Sequence, residues 1–223
     1  MLHSGYSKAW YSAAPYLQSW YRGYPVIKHP NDLFVYQEIL WQTKPDLIIE
    51  TGTFSGGSAL FLADQLDLLV LHEGLRDDAK VLTIDIMANQ EFLEGLPSHP
   101  RISFFYGYPS TDLRVVEEVE KRIAQHERVM VILDSDHRKA NVLRELAIYS
   151  KFVTPGCYLI VEDTNQDAYD AMDSFYDKAD GYPSHALHEW KPERHGFITD
   201  ERRERFLFTQ NPKGYLKRSE GGK

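Results

Sequence analysis

The spacing of apolar and polar positions changes period several times along the chain. A helical period runs from Leu33 to Gln42, with Leu33, Tyr36, Ile39 and Leu40 on one face and Asn31-Asp32 able to cap its start. Lys44-Pro-Asp46 ends it. Short continuous apolar runs then alternate with helical stretches. Leu47–Glu50, Val81–Asp85, Ile102–Tyr106, Val129–Asp134 and Tyr158–Glu162 predict strands. Residues 57–68, 112–126 and 138–153 predict helices, with a shorter one at 89–95. The stretch 138–153 is the clearest, with Val142, Leu143, Leu146, Ala147 and Ser150 at helical spacing. Continuous apolar strands separated by helices predict a parallel sheet covered on both faces. Phe206-Leu-Phe-Thr209 predicts a last strand, antiparallel at the edge. The expected organisation is an aromatic N-terminal arm over 1–30, one α/β domain over 31–215 and a polar tail over 216–223.

In open α/β sheets ligands bind outside the carboxyl ends of the strands. Those ends carry Glu50, Asp85, the Gly107–Ser110 turn, Asp134 with Asp136 and His137, and Glu162 with Asp163. Scattered surface acids would not fall so regularly at one edge. The first end runs into Gly52-Thr-Phe-Ser-Gly-Gly-Ser58, a glycine-bearing turn between strand and helix that lets a ligand approach the backbone. Its spacing is not Gly-x-Gly-x-x-Gly, and it lacks the Lys-Ser/Thr ending of a triphosphate loop. Glu50 beside it would repel a pyrophosphate and suits a cationic ligand. Asp85, one strand–helix unit later, is placed to accept hydrogen bonds from two ribose hydroxyls. That role is equally expected for a nicotinamide cofactor and for S-adenosylmethionine.

Val129-Met-Val-Ile-Leu-Asp-Ser-Asp-His137 and Tyr158-Leu-Ile-Val-Glu-Asp-Thr164 bring a second chemistry. If these strands are neighbours, Asp134, Glu162 and Asp163 converge, with Asp136 and His137 on the same rim. Carboxylates that close repel unless a cation lies between them, and oxygen donors suit a hard ion such as Mg²⁺. Singly, each acid has a plainer reading: Asp136 as a helix cap, Glu162 as the partner of a base such as Arg138. His137 is a candidate general base.

Composition narrows the partners. The 223 residues carry a formal charge of −8 and are 43% hydrophobic, which supports a core and argues against a nucleic-acid binder. No apolar stretch is long enough to span a membrane, and no signal-peptide pattern opens the chain. The single cysteine, Cys157, reads as a core strand residue and favours a cytoplasmic location. In the arm, Trp10, Tyr11, Tyr16, Trp20, Tyr21 and Tyr24 read as packing, with a lid or self-association into a homo-oligomer as the functional alternatives.

The segment His29-Pro-Asn-Asp-Leu-Phe-Val-Tyr-Gln-Glu-Ile-Leu-Trp-Gln-Thr-Lys-Pro-Asp-Leu-Ile-Ile-Glu-Thr-Gly-Thr-Phe-Ser-Gly-Gly-Ser58 resembles the cephalosporin hydroxylase / rhamnosyl O-methyltransferase family. Asp134-Ser-Asp-His137, Ile160-Val-Glu-Asp163 and Tyr106-Gly-Tyr-Pro-Ser-Thr-Asp112 resemble it too, and the likeness spans about residues 25–215. The resemblance implies a Rossmann-like class I methyltransferase fold, with a seven-stranded, mostly parallel sheet and an antiparallel last strand. It implies S-adenosylmethionine and Mg²⁺ as cofactors. Glu50, Gly52, Thr53 and Ser58 would hold the methionine part, Asp85 the ribose, and Ser110 would lie near the adenine. Asp134, Glu162 and Asp163 would hold the metal, either Asp134 or Asp136 facing it. Asp134 also borders the cofactor.

The activity implied is methyl transfer to a hydroxyl of a sugar or natural product, with His137 and Asp134 as the catalytic candidates. A divalent cation beside a hydroxyl lowers the cost of removing its proton. Three alternatives belong to other classes. A nicotinamide-dependent oxidoreductase would want a tighter dinucleotide fingerprint. An iron-dependent hydroxylase would want two histidines and a carboxylate. A non-catalytic cofactor-binding subunit would keep only the fold. The arm and residues 164–200 are expected to shape the acceptor pocket.

Overall fold

The computed structural model describes residues 2–166 and 180–221. The chain opens with α1 (Leu2–Ala13) and a two-stranded ribbon, β1 (Trp20–Tyr21) and β2 (Tyr24–Pro25). Then follow α2 (Pro30–Thr43), β3 (Leu47–Thr51), α3 (Gly57–Glu73), β4 (Lys80–Asp85), α4 (Gln90–Gly95) and β5 (Ile102–Tyr106). The second half runs through α5 (Leu113–Ile123), β6 (Val129–Leu133), α6 (Lys139–Tyr149), β7 (Tyr158–Val161), α7 (Pro183–Trp190), β8 (Phe197–Thr199) and β9 (Tyr215–Arg218).

Seven strands form one sheet in the spatial order β5, β4, β3, β6, β7, β9, β8. β3 to β7 are parallel, and β9 runs antiparallel to both β7 and β8. The apolar runs were predicted to be doubly covered; β3, β6 and β7 are buried at every position and β4 at its four central ones, but β5, at the edge of the sheet, is only half-buried. One face packs Leu47, Ile49, Val131 and Leu159 against α5, α6 and α7. The other packs Ile48, Met130, Ile132 and Ile160 against α2 and α3. Helix α3 is apolar nearly all round because it meets the sheet on one side and α2 and the ribbon on others.

Two expectations need correction. Phe206–Thr209 is not a strand; the edge goes to β8, with β9 inside it, and Leu207 is 75% exposed. Residues 216–218 of the expected tail belong to the sheet, with Leu216 fully buried between β7 and β8. The start of α2 also differs. His29 caps it, its Nδ1 accepting from the Asn31 amide at 3.1 Å. Asp32 is instead buried and accepts from Tyr215 Oη (2.9 Å) and the Gln210 amide (2.9 Å).

The strand order reverses between β3 and β6, with β4 and β5 to one side and β7 to the other. This switch point opens a crevice at the carboxyl ends, where Gly52 and Asp134 emerge side by side. A Cβ on Gly52 would lie 1.9 Å from the Asp134 carbonyl oxygen, and the residue has φ +89°. Only glycine lets the two backbones meet. A Cβ on Gly57 would lie 2.2 Å from the Pro25 carbonyl oxygen, so the ribbon is seated directly on the start of α3. That seat carries the following residues, Val26 to His29, across the crevice.

Candidate functional site

The crevice is a cavity of about 980 Å³ at the switch point. Gly52, Thr53, Ser58, Asp85 and Ser110 line one part of it, and Asp134, Asp136, His137 and Asp163 the other. Of the residues read from the sequence, Glu50 and Glu162 stand behind the wall instead.

Glu50 is fully buried beneath the glycine loop. It accepts from Ser58 Oγ at 2.6 Å and from Thr83 Oγ1 at 2.8 Å, and Thr83 in turn bonds Thr53 Oγ1 at 2.8 Å. Burial pushes its carboxyl up to about 7, against the pull of Lys28 and the two hydroxyls. The expected direct contact of Glu50 with a ligand is therefore corrected: its carboxylate is engaged from below and shapes the loop. Asp85 also braces it. Its Oδ2 accepts from the Thr53 and Phe54 amides, both at 2.9 Å, and its Oδ1 from the Met87 amide at 2.9 Å, while the residue still faces the cavity. A carboxylate has about four acceptor sites, so three amides leave it able to accept further. Ser110 lines the cavity but donates its hydroxyl to Glu145 at 2.6 Å, which Ser135 Oγ also meets at 2.7 Å.

At the other end, oxygens of Asp134 and Asp163 and a ring nitrogen of His137 all lie within 4.8 Å of one another. His137 Nε2 is 3.3 Å from Asp163 Oδ2 and 3.9 Å from Asp134 Oδ1. Asp163 has a left-handed backbone, φ +55°, which an aspartate tolerates. Its amide is held by Asn211 Oδ1 at 3.0 Å and its Oδ2 by Gln166 Nε2 at 2.8 Å. Asp136 belongs to the rim but not to this group. Its carboxylate grips Arg138, with Nε at 2.9 Å from both oxygens. Of the two aspartates considered for the metal, Asp134 is the one that converges with Asp163. Glu162 Oε1 accepts from Tyr36 Oη at 2.7 Å and is paired with Lys28.

Lys28 is the residue that sequence reasoning missed. Its side chain is 3% exposed, and its ammonium lies 2.7 Å from Asp134 Oδ2 while also contacting Glu162. Burial pulls the ammonium down, but Asp134 and Glu162 outweigh it and hold Lys28 firmly protonated. The carboxylates of Asp134, Glu162 and Asp163 are pushed up by burial first, then by one another, since one ammonium cannot balance three acids. The only available signal was a lysine in apolar company, Val26-Ile-Lys28, just before a helix. Tyr36, Asn211 and Glu145 likewise became visible as supports only through the fold.

No helix among the described residues is long and apolar enough to cross a membrane. Residues 14–219 match the family described as Rhamnosyl O-methyltransferase/CmcI. The rhamnosyl O-methyltransferase of Mycobacterium leprae is 31% identical over 214 residues, covering 95% of this chain and 88% of that protein. The one from Mycobacterium tuberculosis is 28% identical over 219 residues, 96% and 84% of the two chains. Among solved structures, CmcI in its apo form superposes with a TM-score of 0.63 at 21% identity, covering 92% of this chain and 78% of that one. The O-methyltransferase TomG of Streptomyces achromogenes gives 0.52 at 18% identity, covering 83% and 75%. These likenesses match the seven-stranded sheet with its antiparallel final strand, and the chain belongs to the rhamnosyl O-methyltransferase/CmcI family.

Proposed function

We propose that the protein is an O-methyltransferase that moves the methyl group of S-adenosylmethionine to a hydroxyl of a sugar or natural-product acceptor, with Mg²⁺ at the acidic end of the cavity. One observation carries the reading. The glycine loop with Asp85 and the Asp134–His137–Asp163 group open into the same cavity. A dinucleotide site would not need the second group. Family membership and the curated rhamnosyl O-methyltransferases support the transfer chemistry. CmcI has been solved with Mg and SAM, and TomG with SAM.

The donor set fits a hard divalent ion, with two carboxylate oxygens converging where only one buried ammonium balances the charge. Asp134 and Asp163 would hold it, with Glu162 adjacent. When bound, S-adenosylmethionine supplies a methyl on a cationic sulfur, and Mg²⁺ supplies charge that eases loss of the acceptor's proton. The chain's residues do the rest. Asp85 would hold the ribose at its strand end, and the glycine loop it braces would hold the methionine part. Glu50, Ser58 and Thr83 keep the loop in shape from beneath. His137 lines the cavity beside Asp163, its Nε2 3.3 Å from Asp163 Oδ2, and would take the hydroxyl proton once that nitrogen is released from the carboxylate. S-Adenosylmethionine would supply the methyl for the new O–CH₃ bond and would depart as the neutral thioether. Holding oxygen and methyl in line is worth several kcal/mol by itself.

The acceptor would enter over Lys28, His137 and Asp180, which border the cavity. Part of the predicted acceptor wall, residues 167–179, lies outside the described residues. Titration calorimetry with S-adenosylmethionine and with NADH, each with and without Mg²⁺, tests the reading. Binding of S-adenosylmethionine alone is expected. Binding of NADH in its place would overturn it.

A further inference from the structure

The acidic end of the cavity holds a cation of its own. Lys28 reaches in from the segment behind the ribbon, and its ammonium bridges Asp134 and Glu162 from a position almost without solvent contact. It stands 5.9 Å over the Tyr36 ring, whose hydroxyl holds the same Glu162 oxygen at 2.7 Å. Asp134 is thus shared: Oδ2 meets Lys28, Oδ1 lies 3.9 Å from His137 Nε2, and the residue also converges with Asp163. Asp134, Glu162 and Asp163 together carry three negative charges when ionised, and Lys28 offsets one. A divalent cation would offset the remaining two with Lys28 still in place.

We propose that Lys28 is a tethered counter-cation: a positioning residue that holds Asp134 and Glu162 together without metal and opposes the metal electrostatically once it binds. This rests on the metal reading above. Opposition follows from distance. Two cations sharing one carboxylate sit only a few ångströms apart in a water-poor site, where like charges repel strongly. Cohesion follows from burial. Removing one partner of a buried pair leaves an uncompensated charge. Lys28 therefore does two things of opposite sign, and a single substitution separates them. It is no proton acceptor, since the two acids keep it charged.

The test uses the full chain, with Mn²⁺ as the probe read by electron paramagnetic resonance and with melting followed in metal-free buffer. Lys28→Met keeps the stem and removes the charge. The variant should melt several degrees lower without metal, bind Mn²⁺ about tenfold more tightly and be stabilised more by the ion than the natural protein. Equal or weaker Mn²⁺ binding by Lys28→Met, with the natural protein binding normally, overturns the proposal and leaves the metal site standing. Binding by the variant alone supports it, the tether having excluded the ion. Absence of binding by both overturns the metal reading and this proposal with it. Should Lys28→Met fail to fold, Lys28→Gln, which keeps a hydrogen-bond donor without the charge, takes its place. It should likewise bind Mn²⁺ about tenfold more tightly than the natural protein. Equal or weaker binding overturns the proposal.

Discussion

The Ser58 hydroxyl donates a 2.6 Å hydrogen bond to Glu50 Oε1, tying the first turn of α3 back to the strand that precedes it. The acid is fully buried, and burial raises its folded pKa to about 7. In the unfolded chain a glutamate titrates near 4.3. The raised value means that the neutral form is the one the fold prefers. Its contribution to stability is complete below about pH 4 and is lost as pH rises through 7. Glu50→Gln should flatten that part of the profile. Urea unfolding at half-unit steps from pH 4 to 8 would show it, and an unchanged slope in the variant would rule Glu50 out as the source.

His29 works in the opposite direction. Burial lowers its pKa to about 4 from an ordinary value near 6.5. Its Nδ1 must stay unprotonated to accept from the Asn31 amide, and Tyr6 Oη lies 3.2 Å from Nε2. Its contribution is present above pH 6.5 and is lost as pH falls through 4. Asparagine is a good helix cap and does not titrate, so His29→Asn should remove this acid sensitivity. Melting temperatures at pH 4 and 7 suffice. The difference between the two should shrink in the variant.

Asp85 receives three backbone amides, two of them from the glycine loop. Asp85→Ala strips the loop of its acceptor and should cost about 1–3 kcal/mol in stability. Affinity for S-adenosylhomocysteine should fall by tenfold or more, because the loop loses its shape together with the proposed ribose partner. Calorimetry on the folded variant measures this directly. Affinity unchanged from the natural protein would remove Asp85 from the cofactor site.

The proposed metal chemistry predicts a clean dissection by chelation. Activity should vanish in EDTA and return with Mg²⁺. Asp163→Asn should abolish that response while cofactor affinity stays within a few-fold, since Asp163 is held by Asn211 and Gln166 and not by the loop that Asp85 braces. Release of S-adenosylhomocysteine is the readout. Full turnover in EDTA would sink the metal assignment.

The parallel strands were legible because their apolar runs are continuous, a pattern that only double coverage satisfies. The acids and the glycine loop were legible because the sheet places every strand end on one rim. What could not be read depended on distant pairing. Lys28 is buried by partners 106 and 134 residues away. A lone lysine before a proline otherwise reads as solvated. Tyr215–Arg218 carries two apolar residues followed by two basic ones. Its place between β7 and β8 comes from pairing rather than from its own pattern. Phe206 and Leu207 show the converse. Their apolar run suggested a strand, yet they are exposed and Phe206 rests edge-on against Phe34. Glu50 was rightly tied to the loop, but period and spacing say nothing about which side of a turn a carboxylate takes.

The contact between Gly52 and the Asp134 carbonyl has a bearing on catalysis that reaches past packing. The Asp134 amide also donates to the Thr51 carbonyl at 3.0 Å, so the two strand ends are bonded immediately before that contact. The part of the cavity that would seat the methyl donor and the part that would seat the receiving oxygen thus share one backbone frame. On the proposed chemistry, the spacing of donor and acceptor is anchored in the sheet rather than in a surface loop.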